Sequence, residues 1–144
     1  MQKNNKKTWE VRLGFNRIKP PGAQGVVLGR DVGYDDVIHT STAYMRKNYD
    51  RPIALGDLAA RTGCNAFQVI RAFRRMLGIT PHSFLIEMRL ERARELLALG
   101  QPAAEVATEV GFFDQSHLIR HFKRRTGRTP KQMMARPVSG APAS

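Results

Sequence analysis

An internal duplication is the sequence feature that most constrains how this chain can fold. Residues 65–81 read NAFQVIRAFRRMLGITP, and 49 positions further on residues 114–130 read DQSHLIRHFKRRTGRTP. Identical residues at matching positions include Ile70, Arg71, Phe73, Gly78, Thr80 and Pro81 in the first copy, and Ile119, Arg120, Phe122, Gly127, Thr129 and Pro130 in the second. A repeat of this length predicts two copies of one supersecondary unit.

Each copy is preceded by a short segment that completes a helix-turn-helix pattern. An alanine and then a glycine come before the first copy (Ala59, Gly63), and the same pair comes before the second (Ala107, Gly111). A small alanine lets two helices approach closely, and the glycine permits a tight turn. Asn65 and Asp114 then stand at the start of each copy, where an N-cap is needed. The pattern predicts a short helix, a turn, a cap and a second helix, twice.

The apolar spacing along the rest of the chain predicts an all-α fold of about seven helices, with two helix-turn-helix subdomains joined by a long linker helix. Asp35 and Asp36 are expected to supply an N-cap and first-turn negative charge to the first helix. The predicted organisation is a flexible basic arm at 1–34, a first unit at 35–80, the linker at 81–100, a second unit at 101–134 and a disordered tail at 135–144.

Helical spacing separates two faces on the second helix of each copy. The predicted inward residues are Val69, Phe73 and Met76 in the first copy, and Leu118 and Phe122, continued by Thr126 or Arg125, in the second. The predicted outward residues are Phe67, Ile70, Arg71 and Arg74 in the first copy, and Ser116, Ile119, Arg120 and Lys123 in the second. A face that mixes arginine with an apolar residue suits a DNA major groove, because arginine can pair with guanine and isoleucine can touch a thymine methyl group.

The charge distribution points to the same partner. The chain has a formal net charge of +12, which favours a polyanion over a neutral or acidic partner. Acidic residues are absent between Asp57 and Glu87 and again after Asp114, the two stretches that hold the outward faces. A membrane-surface protein would need one basic amphipathic helix rather than two capped, repeated units. A weaker alternative is a seven-helix domain whose halves simply pack alike.

Residues 36–134 resemble the DNA-binding domain of the AraC/XylS family of transcription regulators. In the second unit the resemblance is carried by Ala107, Gly111, Phe112, Asp114, Gln115, Ser116, His117, Leu118, Arg120, Phe122, Lys123, Gly127, Thr129 and Pro130. In the first unit it is carried by Leu58, Ala59, Gly63, Arg71, Phe73, Gly78 and Pro81, followed by Phe84, Leu85, Arg89, Leu90, Ala93, Leu96 and Leu97. The resemblance implies two recognition helices that read successive major-groove segments on one face of double-stranded DNA.

Site residues follow from the resemblance, position by position. The implied base-reading residues are Phe67, Ile70 and Arg71 in the first unit, and Gln115, Ser116, Ile119 and Arg120 in the second. The implied phosphate contacts are Arg74, Arg75, Lys123 and Arg124. The resemblance also implies promoter activation through RNA polymerase. We further expect binding to DNA as a monomer and no cofactor. The single cysteine, Cys64, and the lack of an apolar run long enough for a signal peptide or a membrane span predict a cytoplasmic, nucleoid-associated location.

The chain departs from the family pattern in three ways. Ala54 stands where the family usually has a serine-type cap, and Gly56 lies inside the short helix that follows. Ile70 and Ile119 replace residues that are commonly polar. A separate sensing domain has no room in 144 residues, so we expect a small single-domain regulator or a fragment of a longer ligand-sensing one.

Three further classes of function are weighed against the regulator. A metal site at His117 and His121 has suitable spacing on one helix but no neighbouring ligand to complete it, and a DNA contact by His117 is the better interpretation. A DNA-repair methyltransferase needs several cysteines, whereas this chain has only Cys64, so we expect no enzyme. The remaining alternatives are a sequence-neutral architectural DNA-binding protein and an interaction protein that retains the fold.

Overall fold

A computed structural model describes residues 27–28 and 32–134, with side chains from residue 33 onward. Seven helices lie within these ranges. They are α1 (Tyr34–Asn48), α2 (Leu55–Thr62), α3 (Ala66–Leu77), α4 (Pro81–Ala98), α5 (Ala103–Val110), α6 (Gln115–Thr126) and α7 (Pro130–Met134). The predicted all-α fold is confirmed, and none of these seven helices is long and apolar enough to cross a membrane.

A small hairpin precedes the helices. Strand β1 (Val27–Leu28) pairs antiparallel with β2 (Val32–Gly33), in the register Val27 to Gly33 and Leu28 to Val32. The predicted arm at 1–34 therefore ends in regular structure, and its other residues lie outside the described ranges, as does the predicted tail at 135–144.

The start of α1 corrects one prediction. Its N-cap is Gly33, which offers no side-chain acceptor, and not Asp35. Asp35 lies in the first helical turn and is buried, at 3% exposure. The helix begins earlier than expected because Tyr34, itself only 6% exposed, packs into the core as the first helical residue. The predicted placement of Asp35 and Asp36 in the first turn of this helix is confirmed.

The chain divides into two compact units between Met88 and Arg89, inside α4. The core of the first unit gathers buried residues from α1, α2, α3 and the start of α4. Val69 and Phe73 are fully buried, as predicted, while Met76 is only partly buried. Ala72, which the apolar spacing did not single out, is also fully buried. Val69, Ala72 and Phe73 therefore form the inward face of α3.

The second unit buries α5 against α6. Val106, Ala107 and Val110 of α5 are fully buried, and so is Leu118 of α6. Phe122 is buried as predicted. The prediction that Thr126 or Arg125 continues this inward side is wrong, because both side chains are exposed. Thr126 instead donates its hydroxyl hydrogen to the carbonyl oxygen of Phe122, at 2.8 Å, near the end of the helix.

Local capping fixes where α3 and α6 begin. The Asn65 side chain accepts a hydrogen bond from the Gln68 amide at 2.8 Å, and the Gln68 side chain accepts one from the Asn65 amide at 2.9 Å. Asp114 accepts from the His117 amide at 2.9 Å. Each cap satisfies backbone N–H groups that have no partner within the helix. Both predicted N-caps are confirmed.

Helix α2 lacks such a side-chain cap. Its N-cap is Ala54, and the carboxylate of Asp57 accepts from the Ala54 amide at 2.9 Å. One half of a capping box is thus present, whereas the N-terminal N–H groups of α2 receive no side-chain acceptor from Ala54. The expected weakness of this short helix therefore has a structural basis.

Gly56→Ala is expected to raise the free energy of unfolding by up to about 0.5–1 kcal/mol, because alanine loses less backbone entropy than glycine on becoming helical. A Cβ atom at Gly56 would meet nothing within 4 Å, so the gain is not offset by a clash. The measurement is urea denaturation. The matched control is Gly63→Ala, one turn beyond Ala59, which should destabilise because Gly63 has φ of +76°. Equal effects at the two glycines would contradict this account.

Candidate nucleic-acid interface

The outward face of α3 forms a surface depression lined by the side chains predicted for DNA contact. Five residues line it: Phe67, Ile70, Arg71, Arg74 and Arg75. Positions 67, 70, 71 and 74 fall on one side of a helix because of its 3.6-residue period. The fold thus brings together all five contact residues predicted for the first unit, with three guanidinium groups around two apolar side chains.

Exposure differs among these five residues. The Phe67 ring is 63% exposed, and the three arginines are exposed as well. A partner that covered this ring would remove apolar surface from water, which favours binding. Ile70 is only half-buried, and its side chain lines both this depression and a second pocket of the first unit.

Two of the arginines lie over aromatic rings. The guanidinium carbon of Arg71 lies 4.9 Å from the centre of the Phe67 ring. That of Arg75 lies 5.9 Å from the centre of the Tyr34 ring. Such cation–π contacts restrict a long side chain while leaving its N–H donors available. Arg71 is therefore partly ordered before any ligand arrives, which sequence spacing alone did not show.

The outward face of α6 has the same spacing in the second unit. Its exposed residues Gln115, Ser116, Arg120 and Lys123 surround Ile119, which is half-buried like Ile70. Arg124 is exposed as well. The first two residues of α6, Gln115 and Ser116, follow the Asp114 cap and present uncharged polar side chains. The cations lie further along the helix. This order places hydrogen-bonding groups and positive charge on one surface.

The charges of the two faces are not neutralised by acidic neighbours on their own helices. Neither α3 nor α6 contains an acidic residue. The glutamates of α4 instead pair with arginines of the same helix, Arg92 with Glu95 at 2.8 Å and Arg94 with Glu91 at 3.6 Å. Carboxylates and the positive faces are thus kept on different helices, as the sequence predicted.

A histidine pair supports the turn before α6, and the sequence alone did not reveal it. The His117 Nδ1 atom accepts from the Phe113 amide at 3.3 Å, and its Nε2 atom lies 3.1 Å from Nε2 of His121. The Phe112 ring, which is buried, lies against both imidazoles, with centres 5.4 and 5.6 Å away. Both nitrogens of His117 are therefore used within the second unit, which disfavours the predicted DNA contact by this side chain.

The same geometry bears on a metal site. With Nδ1 accepting from a backbone N–H, neutral His117 carries its proton on Nε2, the atom that would have to bind a metal. Within the described ranges, no three His, Cys, Asp or Glu side chains are grouped so as to hold an ion. Cys64 is half-buried in the first unit, with its sulfur 3.9 Å from the Thr62 carbonyl oxygen.

Comparison with known proteins agrees with this architecture. Residues 58–136 match the protein family described as a helix-turn-helix domain. A crystal structure of a probable AraC family transcriptional regulator from Rhodopseudomonas palustris is 28% identical, with a TM-score of 0.64, and the match covers 70% of this chain and 96% of the other. The DNA-binding domain of AdpA, a global transcriptional factor solved in complex with a target DNA, is 27% identical with a TM-score of 0.63, over 69% of this chain and 89% of that one.

Similar sequences are found within longer regulators. The uncharacterised HTH-type transcriptional regulator YbfI of Bacillus subtilis is 35% identical over 83 residues, which are 58% of this chain and 30% of that protein. The aligned part covers between 30% and 57% of the first three curated relatives. The similarity thus concerns one part of those proteins.

Proposed function

Because the chain belongs to the AraC/XylS family of helix-turn-helix regulators, we propose that it is a sequence-specific transcription regulator that binds double-stranded DNA. The helices α3 and α6 enter successive major-groove segments. Units 35–80 and 101–134 act as the two readers and residues 81–100 as their linker. The observation that carries the proposal is the depression on α3, where Phe67, Ile70 and three arginines meet.

The base-reading residues are those whose side chains combine exposure with suitable chemistry. Arg71 and Arg120 each offer two parallel N–H donors, which match the O6 and N7 acceptors of guanine. Gln115 and Ser116 add shorter donors and acceptors. The apolar surfaces of Phe67, Ile70 and Ile119 suit thymine methyl groups, which are exposed only in the major groove.

Four cations position the protein without reading sequence. Arg74 and Arg75 lie on α3, one turn beyond the reading residues, and Lys123 and Arg124 lie at the equivalent positions of α6. Side chains at these positions reach the sugar-phosphate backbone, where contacts set register and orientation. Their binding releases counterions from DNA, so affinity should fall steeply with added salt.

The remaining properties are proposed from the family resemblance and the sequence. We assign promoter activation through contact with RNA polymerase, binding as a monomer, a cytoplasmic and nucleoid-associated location, and no catalytic step or cofactor. The curated relatives are longer than this chain. If the chain is the DNA-binding part of a larger ligand-sensing regulator, it would use the same two faces to bind DNA.

Sequence preference is the property that tests the proposal. High-affinity sites are selected from a random duplex library, and their binding is competed with bulk DNA at one fixed salt concentration. A regulator should prefer its selected site over bulk DNA by about 10³-fold or more. Selection that enriches no sequence, with one steep salt dependence for all duplexes, would support the sequence-neutral architectural alternative instead.

A further inference from the structure

A cavity of about 160 Å³ that is partly open to solvent lies in the first unit, with Ile70 of α3 in its wall. Each of the four helices around it contributes lining residues. They include Met45 of α1, Leu58 of α2, Ile70 of α3 and Leu85 of α4, with Thr80 just before α4 and His82 in its first turn. Most of the lining is therefore aliphatic, and its polar groups are gathered on one side.

The size and lining select one class of ligand. An apolar cavity of about 150 Å³ is large enough to hold benzene. The Thr80 hydroxyl is already engaged, since it accepts from the Ser83 amide at 3.1 Å and lies 3.0 Å from the Ser83 hydroxyl. His82 is exposed and its imidazole can exchange a hydrogen bond with one polar group. The matching ligand is a single aromatic ring with one hydroxyl group.

Ile70 connects this cavity to the DNA-facing surface. Its side chain lines both the cavity and the depression that holds Phe67 and the arginines. A ligand that fills the cavity would support the inner side of Ile70 and limit its movement away from the depression. No other residue belongs to both linings among those described for these two sites.

We propose that the first unit binds a phenol-like aromatic alcohol in this cavity, and that occupancy strengthens DNA binding through Ile70. The binding step is independent of the proposed function, whereas the coupling to DNA rests on it. The coupling is reciprocal, so DNA should strengthen ligand binding by the same factor.

The binding step is tested by titrating the full chain with phenol and following side-chain methyl signals by NMR. We expect saturable shifts at Ile70, Leu58 and Leu85, with a dissociation constant on the order of 1 mM or lower for so small a ligand. Ile53→Trp places a larger side chain in the cavity wall and should abolish the shifts. The matched control Leu99→Trp, at a site 76% exposed in the other unit, should retain them.

Two further variants keep the binding test decisive. Leu55→Phe is a second filling substitution, for use if Ile53→Trp does not fold. His82→Ala should reduce the affinity for phenol to that for benzene, which identifies the hydroxyl partner. Absence of saturable shifts in the wild-type chain, or shifts that persist in a folded filling variant, would overturn the cavity as the site.

The coupling is tested by DNA affinity with and without saturating phenol. We expect about fivefold or greater tightening on a selected site in the wild-type chain, and none in the filling variant. Saturable phenol binding with unchanged DNA affinity would overturn the coupling. A chain that selects no DNA sequence even without phenol would overturn the proposed function. The NMR titration would still decide whether phenol binds in the cavity.

Discussion

Phe73→Ala is expected to lower the free energy of unfolding by about 3–5 kcal/mol, the usual cost of removing a buried aromatic ring. Phe73 is fully buried on α3, and its ring meets that of Phe84 edge-on, with centres 5.8 Å apart and planes at 71°. Alanine would leave a cavity beside Phe84 and remove the contact that joins α3 to the start of α4. Urea denaturation monitored by circular dichroism measures the loss.

The matched control is Phe67→Ala, which removes the same ring from the same helix. Phe67 is 63% exposed, so stability should change by no more than about 0.5 kcal/mol. Affinity for a selected DNA site should fall, because the ring belongs to the proposed reading face. A large loss of stability for Phe67→Ala, or a loss below about 1 kcal/mol for Phe73→Ala, would contradict the assignment of the two faces.

The sequence predicted helix ends best where the signal is local. The α3 helix begins at Ala66, directly after the predicted cap Asn65, and ends at Leu77, before Gly78 with φ of +79°. Such signals depend only on neighbouring residues along the chain. The start of α1 was misjudged because the burial of Tyr34 in the core decides it, and no neighbour in sequence carries that information.

At the candidate site, too, the sequence predicted what depends on neighbouring residues and missed what depends on distant ones. Helical spacing placed Phe67, Ile70, Arg71 and Arg74 on one face, and the structure gathers them with Arg75 in one depression. Spacing could not show that Ile70 also lines the partly open cavity of the first unit, since the opposite wall comes from α1, α2 and α4. Residues distant in sequence form that wall, so the periodicity of α3 cannot predict it.

The histidines of the second unit illustrate a further limit. Their spacing of four residues suggested a shared ligand, and the structure does bring the two Nε2 atoms within 3.1 Å. The role of the pair depends on Phe112, whose buried ring lies against both imidazoles, and on the Phe113 amide. A side-chain to backbone contact across a turn leaves no trace in residue spacing.

Arg120→Ala is expected to weaken binding to a selected DNA site by about 1–3 kcal/mol, roughly 5- to 150-fold, and to relax preference at one base pair. Arg120 is exposed on α6, and no acidic residue of that helix competes for its guanidinium group. Fluorescence anisotropy at one salt concentration measures affinity for the selected site and for each single base-pair change within it. Arg120→Lys should recover only part of the loss, because lysine keeps the charge but not the paired donors.

The matched control is Lys123→Ala, three positions further along the same helix. As a phosphate contact, Lys123 should contribute equally to every sequence, so its removal should weaken all duplexes alike and reduce the salt slope by about 1. The two variants thus remove similar charge with different consequences for specificity. Uniform weakening by Arg120→Ala would make Arg120 a phosphate contact and leave Gln115, Ser116 and Ile119 as the readers of the second unit.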